Sequence, residues 1–205
     1  NVYIGEEAGS SGTQTDAADD NVGVGYQALD NLTQGTGNVA VGSYALGLIT
    51  TGSSNVAIGS YDGTRPAALR TNTVGSYNIA IGSGALATAN EDDNDGSVAI
   101  GFEACAVQAG TGGSQFANAT IGIGLQTLKR LTTGIGNTAI GFKAGTDLTT
   151  GDRNTALGYL ALTAGTTESD DNVALGYNAM GGAIGTEAVN DCVAIGSSAL
   201  SGALD

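Results

Sequence analysis

The chain has no histidine, no tryptophan, one proline (Pro66), two cysteines and only six basic residues against twenty acids. Each shortage excludes something. Without histidine, Ser-His-Asp and Cys-His catalysis and histidine metal sites are closed off. Phosphate binding needs grouped cations, and here six unclustered Lys and Arg sit in a chain of net charge −14. Nucleic acid and anionic membrane surfaces are therefore not expected partners. No apolar run approaches the ~20 residues that cross a bilayer, so no membrane insertion is expected. Aromatic residues make up 5% of the chain, which leaves Ala, Val, Ile, Leu and Thr to fill any interior.

Glycine is abundant instead, with 35 among 205 residues, and its placement is periodic. A five-residue phrase of the type Asn-Val-Ala-Ile-Gly occurs eleven times, anchored at Asn1, Asn21, Asn38, Asn55, Asn78, Ser97, Thr120, Asn137, Asn154, Asn172 and Cys192. A unit repeated at this spacing is the mark of a solenoid, in which each copy is one coil. Counting the anchor as zero, position +1 is Val, Ile or Thr, position +3 is Ile, Val or Leu, and position +4 is always Gly. Alternation with β-branched residues predicts a short strand, and the Gly predicts a sharp turn after it. Position +2 is Ala or Gly except at Tyr3, so neither face of the strand is polar. One face must line the coil, and the other is expected to pack on another copy of the chain.

Past the Gly, Ala recurs at +7 and Leu at +8, as in Ala28-Leu29, Ala45-Leu46 and Ala161-Leu162. The expected fold is all-β: a parallel β-roll or β-helix solenoid of about eleven coils of 17–23 residues, one repeat domain over residues 1–205. At ~4.8 Å per coil the rod would be on the order of 50 Å long. So thin a core needs support, and oligomerisation is the expected source. Cys105 and Cys192 lie in coils too far apart for the ~7 Å Cα separation of a disulfide. Both read as small buried fillers, with a disulfide between chains as the alternative. The chain starts inside a repeat, so it is expected to be a segment of a longer fibrous protein.

The Asn anchors predict a structural ladder, with Asn21, Asn38, Asn55, Asn78, Asn137, Asn154 and Asn172 hydrogen-bonding along the rod. A turn role for each Asn is the alternative. Extra residues are expected between the Leu of one coil and the next anchor, along one edge of the rod, where variable binding loops lie. Tyr61, Arg65, Arg70 and Phe116 fall in or beside such insertions and are candidate receptor contacts. Acids gather before the anchors, at Asp19, Asp20, Asp92, Asp93, Asp95, Asp170, Asp171 and Asp191. They read as solvated loops that keep the rod soluble, with two alternatives. One is calcium on Asp92, Asp93 and Asp95, the only cofactor considered. The other is a carboxylate pair for glycoside hydrolysis. Isolated Gly-x-Gly fragments lack the Lys of a phosphate loop, and no enzyme activity is expected. Aromatic residues just after the Gly (Tyr26, Phe102, Phe142, Tyr159, Tyr177) either cover the coil edge or stack on sugars or a receptor.

NTAIGFKAG, NTALGYLAL and NVALGYNAM, with LTTGxxN between copies, resemble the repeats of bacteriophage tail and virion fibres. They are similar also to the head repeats of trimeric autotransporter adhesins, where an Ala-Ile-Gly phrase recurs at shorter spacing. The longer 17-residue period and irregular insertions favour the phage type. The resemblance covers essentially the whole chain. It implies a left-handed, homotrimeric rod on a virion or cell surface, associated with other fibre or virion proteins. It implies host attachment through a surface glycan or protein receptor, with recognition in loops or neighbouring domains. A bacterial surface adhesin is the alternative, and a polysaccharide-degrading tailspike a more distant one.

Overall fold

The computed structural model describes residues 1–88, 94–107, 118–163, 169–182 and 189–202. Each copy of the phrase forms one three-residue strand, from β1 (Val2–Ile4), β2 (Val22–Val24) and β3 (Val39–Val41) through β4 (Val56–Ile58), β5 (Ile79–Ile81), β6 (Val98–Ile100) and β7 (Ile121–Ile123). The series continues with β8 (Thr138–Ile140), β9 (Thr155–Leu157), β10 (Val173–Leu175) and β11 (Val193–Ile195). All eleven form one sheet in chain order. Neighbours are parallel and in register by repeat position, as in Val22↔Val39, Gly23↔Ala40 and Val24↔Val41. Parallel neighbours in chain order require one full circuit between strands, so the chain is a parallel β-solenoid. The all-β expectation holds, and no helix occurs among the described residues.

Gly at +4 ends each strand for two reasons. Its φ lies between 125° and 157° in all eleven copies, a region closed to L side chains. A Cβ there would also strike the next coil: at Gly141 it would lie 2.3 Å from the carbonyl oxygen of Gly158. The glycine column therefore lets coils close backbone to backbone.

The return path turns on residues that are not glycine. Position +8 is left-handed in coil after coil: Leu29, Leu46, Leu86, Leu128 and Leu162 have φ of 45–55°. For a bulky residue this conformation costs on the order of 1 kcal/mol. It also rotates the amide to point along the rod. Leu128 N–H bonds the Ala144 carbonyl at 3.0 Å and Leu162 N–H bonds Ala179 at 2.8 Å. The same turn drives the Leu side chain inward, where all five are fully buried. Burial of a Leu side chain contributes roughly 1.5–3 kcal/mol, enough to offset the strain.

The interior is thin, which decides which strand face it takes. Position +2 points inward and is buried in β2 through β11, always as Ala or Gly. Opposite it stand Ala at +7, Leu at +8, and Leu32, Ile49, Leu131 and Leu148 from the last side of the coil. A β-branched residue at +2 would overfill this space. The first coil shows the trade in sizes: Tyr3 takes the inward position, and Gly9 stands where other coils have Leu. A Cβ on Gly9 would be 2.7 Å from the Tyr3 ring. Cys105 replaces Leu at +8 and is fully buried, which pushes its thiol up to about 12. Cys192 is only half-buried, because the coil it anchors is the last in the stack.

Candidate functional site

With Ala turned inward, the larger residues at +1 and +3 face out. They form two columns running the length of the sheet, aliphatic at every place except Thr138 and Thr155. None of these positions is buried, and Val41, Ile58, Ile140, Leu157 and Leu175 are more than one-third exposed within the stack. Single exposed aliphatic residues are ordinary, but here they run without interruption by charge along the whole sheet.

The Asn ladder forms as expected. Asn38 donates from its backbone N–H (2.9 Å) and its Nδ2 (3.0 Å) to Asn21 Oδ1, and its Nδ2 also reaches the Gly52 carbonyl at 2.9 Å. The pattern repeats at Asn21 on Asn1, Asn55 on Asn38, Asn78 on Asn55, Asn154 on Asn137 and Asn172 on Asn154. Asn137 caps the Gly151 carbonyl at 2.7 Å and starts the second run. Between the two runs the ladder weakens at Ser97, whose Oγ accepts the Thr120 N–H at 3.4 Å, and among the described residues it breaks between Thr120 and Asn137. Thr120 Oγ1 and Asn94 Nδ2 there are buried without a hydrogen-bond partner.

A second ladder lies two residues before the anchors, and its bonds point the other way. Thr36 N–H donates to Ser53 Oγ (3.1 Å), Ser53 N–H to Ser76 Oγ (3.0 Å), and Ser76 N–H to Asp95 Oδ1 (2.6 Å). Asp95 N–H continues to Asn118 Oδ1 at 3.0 Å. After a gap, Ile135, Asp152 and Asp170 each donate at 2.8 Å to Asp152, Asp170 and Asn190. Asp95, Asp152 and Asp170 thus serve as acceptors in the scaffold, a role the sequence reading missed. Asp171 instead pairs with Arg153 (2.7 Å), which holds its carboxyl below the usual range. Asp92 and Asp93 lie outside the described residues. Among the described residues no group of three acids or cysteines could hold a metal ion.

The fourth coil corrects the expected placement of insertions. Ala68 N–H bonds Gly59 O at 3.2 Å, the same +7-to-+4 bond that Ala45 makes to Gly42. Its six extra residues therefore enter between Gly59 and Ala68, before Leu69 and not after it. The cause is geometric: the nine residues from Leu69 to Asn78 already complete an ordinary return path. The inserted segment folds onto the following coils. Pro66 O accepts Gly84 N–H at 3.0 Å, and Arg65 stacks over the Phe102 ring at 4.8 Å. Arg65 Nε also meets Glu103 Oε1 at 3.2 Å, while Lys129 Nζ meets Glu103 Oε2 at 2.7 Å. Partial burial pushes the Glu103 carboxyl up, but hydrogen bonds from Lys129, Gln126 and Arg65 outweigh it and hold the group low.

Tyr61 and Arg70 belong to a neighbouring cluster. Tyr26, Tyr44 and Tyr61 pack edge to face at 5.2 and 5.7 Å, and Arg70 lies over Tyr44 (5.1 Å) and Tyr61 (5.8 Å). Phe116 lies outside the described residues. Farther along, Phe142, Tyr159 and Tyr177 stack nearly parallel at 4.9 and 5.6 Å. Their faces are occupied by one another, so this column presents ring edges outward and is poorly suited to sugar stacking.

No protein-family model matches the chain, and no curated protein or solved structure matches it.

Proposed function

We propose that this chain is a structural and adhesive fibre segment of a virion, assembled as a homotrimer and working in host attachment. The observation that carries the reading is the outward aliphatic stripe on β1 through β11. A rod that circulates freely as one chain has no use for Val, Ile or Leu on the solvent side of every strand. Packed on identical stripes, those columns gain a second core as long as the rod, and the thin interior is no longer the sole source of stability. Three chains is the number that the fibre-repeat resemblance implies. The 17-residue period favours the virion fibre over the adhesin head. Attachment would be multivalent, with three equal edges adding avidity to weak contacts.

Light scattering of the purified protein should give about 60 kDa, three times the 20.0 kDa chain. Ile140→Glu with Leu157→Glu puts two charges into the stripe and should yield monomers. A wild-type mass of 20.0 kDa would sink the assembly. Antibodies against the chain should decorate rod-like appendages on virions from its source. Labelling confined to bacterial envelopes would assign it to an adhesin instead.

A further inference from the structure

Four of the six cations have carboxylate partners: Arg65, Lys129, Arg130 and Arg153. Arg70 and Lys143 rest on aromatic rings, without a carboxylate partner among the described residues. Arg70 also borders a notch of about 60 Å³, lined by Gln27, Asp30, Asn31, Tyr44, Gly47 and Leu48. Its origin is visible in the repeat. Asp30, Gly47 and Arg70 each follow the left-handed Leu of their coil (Leu29, Leu46, Leu69), so they stack in one column. Gly47 contributes no side chain, and the gap it leaves has an acid on one wall and a base on the other. Two coil spacings separate those walls, ~10 Å between backbones.

The polar groups are unequally committed. Asp30 Oδ1 accepts Ser10 Oγ and Ser11 N–H, both at 3.0 Å, and Asn31 Nδ2 donates to Gly47 O at 2.7 Å. The Arg70 guanidinium carries five N–H donors. None has a hydrogen-bond acceptor among the described residues, and the Tyr rings hold the group in place.

We infer that this notch is a subsite for the carboxylate edge of an acidic sugar. The inference rests on the attachment reading above. Arg70 presents the fork that binds a carboxylate through two parallel bonds. Asp30 lines the opposite wall with Oδ1 engaged by Ser10 and Ser11, so Oδ2 is the oxygen left for a ligand hydroxyl, and a second anionic charge there would be repelled. A carboxylate flanked by hydroxyls fits both walls. Leu48 and the Tyr44 edge cover the C–H side of the ring. The volume holds roughly two waters' worth of atoms, so an edge of the sugar enters and the rest lies on the surface.

The test is an amide NMR titration of the assembled protein with the methyl glycosides of glucuronate and N-acetylneuraminate, and with methyl glucoside and N-acetylglutamate for comparison. Both acidic sugars should shift Gly47 and Leu48, and the neutral sugar should bind at least ~10-fold more weakly, as loss of a charge-assisted bond requires. Arg70→Gln should lose the shifts with an unchanged melting curve, and Arg130→Gln should keep them. The subsite is overturned by absent shifts, by shifts that survive in Arg70→Gln, or by equal binding of N-acetylglutamate. Adhesion of labelled protein to a panel of encapsulated bacteria separates the two readings. Adhesion retained by Arg70→Gln rejects the notch and leaves the fibre standing. Sugar shifts without any adhesion by the wild type support the notch and reject the fibre.

Discussion

At the scale of single residues, the two invariants of the repeat are held by different forces. The +4 glycine is fixed by backbone contact, and this can be separated from its dihedral. Gly141→Ala meets both a φ of 136° and a carbonyl at 2.3 Å, whereas Gly196→Ala meets a φ of 125° and open space. Thermal melts should show Gly141→Ala as much the more damaging, with Gly196→Ala limited to strain of ~1–3 kcal/mol. The anchor Asn is fixed by hydrogen bonds. Asn154→Ala removes the acceptor of the Asn172 N–H and of one Nδ2 hydrogen, Nδ2 keeping the Val189 carbonyl, and the buried N–H left without a partner should cost about 1–3 kcal/mol. Glu103 gives the pH dependence. Its carboxyl is held below its ordinary 4.5, so its share of stability is complete above that value and drains as pH falls through the lower folded-state value. Glu103→Gln should be less stable than wild type at neutral pH, and denaturant midpoints should converge in acid. Glycine and asparagine were readable in the sequence because each role demands one residue type. The left-handed Leu was not, since propensity argues against that conformation and only the inter-coil bond explains it.

At the scale of elements, the strands were legible because their pattern repeats in register with the Asn and Gly that bound them. The second ladder was hidden. Its acceptors are Ser, Asp and Asn in turn, so the column has a shared atom and no shared residue, and its acids passed for loop charges. The position of the insertion in the fourth coil also has a signal in the sequence. ALRTNTVGSYN runs in parallel with ALDNLTQGTGN, which fixes Ala68-Leu69 at nine residues from Asn78. The face that lines the coil was undecided in the sequence, because both faces are apolar and only interior volume distinguishes them. The long rung at Ser97 and the break after Thr120 invite repair. Ser97→Asn with Thr120→Asn should join the two Asn runs and give Thr120's place a side chain that reaches Asn137. A melting temperature above wild type is expected, with the double variant exceeding the sum of the singles because each rung needs the next. No gain, with the rest of the ladder intact, would show that the buried groups near Asn94 are satisfied by other means.

At the scale of the whole molecule, each coil contacts its neighbours and little else, so the rod should tolerate changes of length in whole repeats. Asn137 and Asn154 stand 17 residues apart. Removing residues 138–154 joins Asn137 to Thr155 and preserves the phrase. Circular dichroism should show a cooperative melt lowered by only a few degrees. Removing one residue more shifts the junction strand alone, turning Leu157 inward and Ala156 outward there, and should lower the melting temperature much further than removal of the whole repeat. The opposed directions of the two side-chain ladders bear on this freedom. Backbone donors oppose one another as well: Val39 N–H points to Asn55 in the next coil and Gly42 N–H to Val24 in the previous one. An α-helix aligns its peptide dipoles and accumulates partial charge at its ends. Here the dipoles of each coil largely cancel, as in sheets generally. Adding coils therefore lengthens the reach of the rod without building up an electrostatic difference between its ends, and span becomes a quantity that duplication can set one repeat at a time.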